Sequence, residues 1–160
     1  MINRVVVVGA GHAAGQFSAR LRTEGFDGEL VLLGDEPVVP YQRPPLSKAY
    51  LSGEVNLDRV LLRKPEFYAE QNVDIRLSTR VDAVDRDAKK VTLEGGESLE
   101  YGQLVFATGA RVRKLNLPGF DLPGVHYVRN LADSDGLRDR LADGQRVVVV
   151  GGGYIGLEVA

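Results

Sequence analysis

Residues 3–22 read NRVVVVGAGHAAGQFSARLR, and the fold follows from this stretch. Val5 to Val8 are apolar and β-branched without alternation, which marks a strand buried on both faces, as in a parallel sheet. Gly9 ends the run. From His12 to Thr23 the apolar spacing becomes helical, with Ala13, Ala14, Phe17, Ala19 and Leu21 available for a buried side. Residues 29–35, ELVLLGD, then form a second strand. Strand, glycine turn, helix and strand in about 35 residues make a βαβ unit.

Gly9-Ala10-Gly11-His12-Ala13-Ala14 fits the spacing G-x-G-x-x-G/A between that strand and that helix. The first glycine allows a tight turn, Gly11 lets a pyrophosphate approach the backbone, and a small residue at 14 lets helix and strand pack closely. The helix start offers N–H groups and a partial positive charge to phosphates. Asp35 stands at the end of the second strand, where an acid would accept from ribose hydroxyls, and Glu36 is a neighbour able to take its place. His12 is expected to matter through its backbone rather than its imidazole. His126 falls in an apparent strand without a partner residue, so no metal site is expected.

Further along, EPVVPYQRPPLSKAYL is a proline-dense loop passing into a short helix near Ser47 to Leu51, and Pro65 to Asn72 reads as another helix. Residues 73–107 read as all-β, in the runs VDIRL, VDAVD, KKVTLE and SLEYGQLVFAT, with Asp87 and Gly95-Gly96 as turns. Leu131 to Leu141 suits a helix. Residues 146–160, RVVVVGGGYIGLEVA, then repeat the opening pattern, with Gly151, Gly153 and Gly156 in the same spacing, Tyr154 and Ile155 between them, and Glu158 two residues on. A second dinucleotide unit needs about 30 residues more for its helix, strand and acid. The chain is therefore expected to be the N-terminal part of a longer polypeptide. Two such units imply two dinucleotides, a flavin and a nicotinamide.

Composition narrows the classes. The net charge of −2 gives no support to nucleic-acid or membrane-surface binding. No apolar run approaches the roughly 18 residues of a membrane span, and a cytoplasmic location is the default. The 160 residues contain no cysteine, which removes disulfides, thiolate metal sites and thiol redox chemistry from this stretch.

In order along the chain, VVVVGAGHAAGQ, PYQRPPLSK, LVFATGA, VHYVRNLADSDGLR and VVVVGGGYIGLEVA resemble the FAD-dependent ferredoxin reductases of bacterial oxygenase systems. That group includes the putidaredoxin, rubredoxin and biphenyl-dioxygenase reductases, and RPPLSK is its most specific segment. The resemblance implies an α/β, Rossmann-like FAD-binding domain of the glutathione-reductase-like fold, followed by the first strand of a second dinucleotide-binding domain. Residues 1–110 would be the N-terminal segment of a discontinuous FAD domain and 111–160 the start of an NAD(P) domain. It also implies hydride transfer from NAD(P)H to FAD, then single electrons to a [2Fe–2S] ferredoxin that feeds a haem or Rieske oxygenase. Relatives with disulfide chemistry carry a cysteine pair after the second strand; here that region has none, so the flavin itself would pass the electrons on.

The resemblance also assigns residues. Gly9, Gly11, His12, Ala13 and Ala14 would hold the FAD pyrophosphate, and Asp35 or Glu36 the adenosine ribose. Arg43 and Lys48 would lie beside the phosphates and the isoalloxazine, and the backbone of Val81 would meet the adenine. Ala107, Thr108 and Gly109 would form the crossover close to the cofactor, and Arg129 would reach back to it. Gly151, Gly153, Tyr154, Ile155, Gly156 and Glu158 would begin the nicotinamide site, with Lys48 and Glu158 a catalytic pair between the cofactors. Ala14 departs from relatives that have glycine there, which the fingerprint tolerates. The plainer reading of Lys48, Arg43 and Arg129 is solvated charge, of Glu158 a first-turn acid, and of Arg111, Arg113 and Lys114 a basic turn. Rival functions are another FAD/NAD(P)H reductase of this fold (an NADH oxidase, a monodehydroascorbate reductase or an apoptosis-inducing-factor-like protein) and a non-catalytic nucleotide-binding module.

Overall fold

The computed structural model describes residues 2–141 and 145–160. Along the chain its elements are β1 (Arg4–Val8), α1 (His12–Thr23), β2 (Glu29–Leu33), a 3-10 helix (Pro44–Ser47), α2 (Leu57–Val60), α3 (Pro65–Glu70), β3 (Val73–Arg76), β4 (Val81–Asp85), β5 (Lys90–Leu93), β6 (Ser98–Glu100), β7 (Gln103–Phe106), α4 (Leu131–Arg138) and α5 (Tyr154–Val159). The chain divides into two compact units, Met1–Tyr41 with Leu61–Gly109, and Gln42–Val60 with Ala110–Ala160.

The first unit is a Rossmann-like α/β domain. Its four-stranded sheet runs β3-β2-β1-β7, and every pair is parallel. A parallel sheet must be covered on both faces, and the valine run shows how. Val5 and Val7 face α1 and α3 in a core with Leu30, Leu32, Ala14, Val39, Tyr68 and Val73. Val6, Val31 and Leu33 face the other way, against Val91, Leu93 and Tyr101. The latter three come from or adjoin a separate antiparallel sheet, β4-β5-β6. Consecutive valines thus enter opposite cores, and each fully buried aliphatic contributes about 1.5–3 kcal/mol.

The run SLEYGQLVFAT, expected as one strand, is two. Ser98–Glu100 closes the antiparallel sheet and Gln103–Phe106 joins the parallel one. Between them Gly102 donates its N–H to the Arg4 carbonyl at 2.9 Å. A Cβ on it would lie 2.0 Å from the Ile2 carbonyl oxygen, so only glycine can make the crossing.

Arg22, in the last turn of α1, fastens the helix to the segments around it. Its Nε donates to the Gln71 carbonyl at 2.9 Å, Nη1 to Phe26 at 2.7 Å and Gly28 at 2.8 Å, and Nη2 to Asn72 at 2.8 Å. Its guanidinium also lies 5.5 Å from the centre of the Phe26 ring.

In the second unit the 3-10 helix packs on α4. The buried Ser134 hydroxyl donates to the Leu46 carbonyl at 2.9 Å, and the Tyr50 hydroxyl donates to Asp135 at 2.9 Å. Burial, then the Asp135 hydrogen bond, push the Tyr50 phenol above its ordinary pKa. Arg138 donates to the same carboxylate at 2.8 Å and lies 5.2 Å from the Tyr50 ring centre. Asn130 and Asp133 form a reciprocal capping box at the start of α4.

Three sequence expectations change here. Residues 47–51 are not the helix: Pro44 and Pro45 start a 3-10 turn instead, and Lys48 leaves helical conformation at φ −134°. His126 lies in irregular chain, not in a strand. Val147 to Val150 form no strand, and Val148 is 86% exposed. A run of valines becomes a buried strand only where neighbours complete its ladder and cover its faces; no described strand completes this ladder, and all four valines stay exposed.

Removing the guanidinium of Arg22 strips four carbonyls of their donor. Arg22→Ala is expected to cost about 2–3 kcal/mol in chemical denaturation. Arg22→Lys should recover only part of this, because an ammonium lacks the fork geometry.

Candidate functional site

In the first unit the ends of β1, β2 and β7 converge on the glycine loop. Gly9 donates its N–H to the Leu33 carbonyl at 2.7 Å, and Ala107 donates to the Val8 carbonyl at 2.8 Å. Gly9 has φ +109°, and a Cβ there would lie 2.2 Å from the Ala107 oxygen. Glycine is thus required both by conformation and by space.

Gly11 is the N-cap of α1, makes no side-chain cap bond, and is followed by no acid in the first turn. The N–H groups of His12, Ala13 and Ala14 are therefore left for an outside acceptor, with the positive end of the helix dipole behind them. His12 and Ala13 are exposed and Ala14 is buried. A small-backed turn, a bare cap and uncompensated N–H groups fit a dinucleotide pyrophosphate.

Asp35 is exposed just beyond β2. Glu36 is half-buried, and its carboxylate accepts the Tyr41 hydroxyl at 2.5 Å. Val81 opens β4 beside a register shift. Ala107 is half-buried, while Thr108 and Gly109 are exposed.

The second unit gathers the other candidate residues. Lys48 Nζ pairs with Glu158 Oε1 at 2.7 Å, and Ser47 Oγ donates to Glu158 Oε2 at 2.6 Å. Arg43 donates to the Arg129 carbonyl at 2.8 Å, and Arg129 Nε donates to the Ala110 carbonyl at 2.9 Å. Arg43, Leu46, Ser47, Lys48, Arg129 and Glu158 line one hollow of about 240 Å³. In the second loop Gly151 has φ +116° and Gly153 is the N-cap of α5, again with no side-chain cap bond. Gly156 backs onto the Gly151 carbonyl, and Tyr154 and Ile155 are exposed, at 87% and 58%. The described residues include no cluster of three or more metal-ligating side chains, and no helix among them is long and apolar enough to cross a membrane.

Sequence reading passed over three residues. Ser47 sits inside the quoted RPPLSK segment, but its contact with Glu158 spans 111 positions. Tyr41 occupies the Glu36 carboxylate, a pairing that no local pattern reveals. Gly15 packs where a Cβ would meet Pro40 at 2.7 Å, so α1 carries a further close-packed small position after Ala14.

The family profile described as pyridine nucleotide-disulphide oxidoreductase matches residues 3–160. The chain belongs to that family. It is 46% identical over 156 residues to a ferredoxin–NAD(P)(+) reductase of Sphingomonas sp, covering 98% of this chain and 38% of that protein. It is 42% identical to the putidaredoxin reductase of Pseudomonas putida, covering 99% of this chain and 38% of the relative. Among solved structures, the ferredoxin reductase for the CYP199A2 system of Rhodopseudomonas palustris superposes with TM-score 0.93 at 43% identity, over 98% of this chain and 39% of that one. The chain thus spans under two-fifths of the length of these relatives.

The hydrogen bond from Lys48, then that from Ser47, hold the Glu158 carboxyl below its ordinary value of 4.5. A depressed carboxyl stabilises the fold above its unfolded pKa, and that contribution is lost as pH falls through the folded value. At pH 4.5, where an ordinary glutamate is half protonated, Glu158 is expected to be mostly ionised. Carbon-13 carboxyl NMR, assigned by the signal lost in Glu158→Gln, checks this, and Lys48→Ala should raise the midpoint.

Proposed function

We propose that the chain is part of an FAD-dependent NAD(P)H:ferredoxin oxidoreductase. Hydride would pass from NAD(P)H to FAD, and single electrons to a [2Fe–2S] ferredoxin supplying a haem or Rieske oxygenase. Residues 1–110 are the N-terminal segment of its discontinuous FAD-binding domain and residues 111–160 the start of its NAD(P)-binding domain. The working enzyme is then a longer polypeptide, as the relatives are, and it acts in the cytoplasm. The observation that carries the reading is the Lys48–Glu158 ion pair. It joins the RPPLSK segment, which the resemblance gives to the flavin, to the helix after the second glycine loop, which it gives to the nicotinamide.

When bound, FAD supplies a two-electron acceptor that can release electrons one at a time. The chain's own residues hold and tune it. Gly9 makes the tight turn, Gly11 would leave room for the pyrophosphate, and the N–H groups of His12, Ala13 and Ala14 would meet its charge. Asp35 is the favoured acid for the ribose, since the Glu36 carboxylate already accepts from Tyr41. By the resemblance, the backbone of Val81 and of Ala107 to Gly109 would meet the cofactor, and Arg43 and Arg129 would add cationic charge. Lys48 would offer the flavin a positive charge of the kind that stabilises a reduced, anionic ring; in this structure Glu158 neutralises that ammonium, and Gly151, Gly153, Tyr154, Ile155 and Gly156 would hold the nicotinamide. With no cysteine in this stretch, the exit for electrons is the flavin, which distinguishes the chain from disulfide reductases of its family.

Two substitutions in the full-length enzyme test the assignments. Gly11→Val should abolish FAD retention, because a β-branched side chain would fill the approach of the pyrophosphate; a yellow variant with stoichiometric flavin would refute the loop assignment. Lys48→Ala should keep FAD yet slow its bleaching by NAD(P)H at least about tenfold in stopped flow. Cytochrome c reduction that requires added ferredoxin separates this function from that of an NADH oxidase.

A further inference from the structure

We infer that Ser47 is a positioning residue for the Lys48–Glu158 pair, acting through a hydroxyl with two alternative acceptors. The inference rests on the reading that this pair serves the nicotinamide-to-flavin step. Ser47 and Lys48 are consecutive at the end of the 3-10 helix, and they engage opposite oxygens of one carboxylate, at 2.6 and 2.7 Å. A carboxylate held at one oxygen can rotate about that contact, whereas one held at both is fixed in its plane. The Lys48 side chain is 49% exposed and ends a flexible four-carbon stem, so the place of its ammonium depends on the carboxylate that receives it.

Ser47 is itself well anchored. It is 6% exposed, and the preceding carbonyl, that of Leu46, is fixed by the buried hydroxyl of Ser134 at 2.9 Å. Its hydroxyl has a single hydrogen to donate. Glu158 Oε2 at 2.6 Å takes it in the resting arrangement, while the Pro44 carbonyl waits at 3.4 Å. If Glu158 swings away as a nicotinamide docks, rotation of the hydroxyl hands its hydrogen to Pro44, and no buried donor is abandoned. Ser47 therefore holds Glu158 without locking it. The charged groups lining the two hollows that Glu158 borders are Arg43, Lys48, Arg129, Glu54 and Arg138, and none of these changes in the variant that tests the idea.

The test uses the FAD-loaded full-length enzyme, with NADH or NADPH, whichever the wild type oxidises faster. Ser47→Ala is expected to keep wild-type flavin content and to bleach about tenfold more slowly, the low end of losing one charge-assisted hydrogen bond. In a Glu158→Ala background the same substitution should change the rate no further, an outcome that a merely structural role would not produce. Independently of turnover, the Glu158 carboxyl midpoint should rise in Ser47→Ala. Bleaching at the wild-type rate, loss of flavin, or full slowing in the Glu158→Ala background would each overturn the role of Ser47. Wild-type bleaching in Lys48→Ala would instead sink the underlying reading, and the carboxyl midpoint would still decide whether Ser47 holds Glu158.

Discussion

The space beside residue 9 is occupied by a carbonyl oxygen. The Ala107 oxygen stands 2.2 Å from where a Cβ would be, and this constraint organises the first unit. The strand β7 can come so close to β1 only because residue 9 has no side chain. That approach lets Ala107 donate to Val8, while Gly9 donates to Leu33 in β2. Three strand ends are thereby tied at one edge, and α1 starts three residues after Gly9, at His12, with its first N–H groups free of any side-chain cap. A parallel sheet places its ligand crevice at the carboxyl ends of its strands, and here the tie itself holds those ends together.

The same geometry explains why the valine run can be so uniform. In a half-solvated sheet every second residue of β1 would be polar. Here Val5 and Val7 meet helices and Val6 meets the antiparallel sheet, so alternation would leave a polar group in one core or the other. The crossing at Gly102 is the necessary complement, because it lets the chain leave the covering sheet and return to the edge of β1. Surface pairs such as Arg4 with Glu29 add little beside this burial.

What the sequence made legible follows from how local each signal is. The helix from His12 to Thr23 was read to the residue, because apolar spacing and a glycine start lie within one window. The break at Tyr101-Gly102 was not, since SLEYGQLVFAT is apolar enough throughout and only the approach to Ile2 divides it. The second valine run shows the limit of pattern from the other side. Val147 to Val150 repeat the letters of β1 but pair with no strand among the described residues, and a strand is a property of pairs rather than of letters. The Glu158 neighbourhood was half legible. Lys48 and Glu158 were singled out by resemblance, but the third member, Ser47, contacts a residue 111 positions away and makes no periodic signal.

The arrangement around Lys48 also shows why the proline-dense segment is not simply a loop. Pro44 and Pro45 contribute no backbone N–H, so the 3-10 turn has few internal bonds with which to hold its shape. Its fixity comes from α4: Ser134 binds the Leu46 carbonyl, and Asp135, shared by Tyr50 and Arg138, fastens the chain just past Lys48. The anchored points at residues 46 and 50 flank Ser47 and Lys48 on both sides. The backbone of Ser47 and Lys48 is thus set by a capped helix, while the Lys48 side chain ends half exposed. The role inferred for Ser47, holding the Glu158 carboxylate through one short hydrogen bond, calls for such a rigid base, because a hydroxyl can orient a partner only as well as its own backbone is fixed.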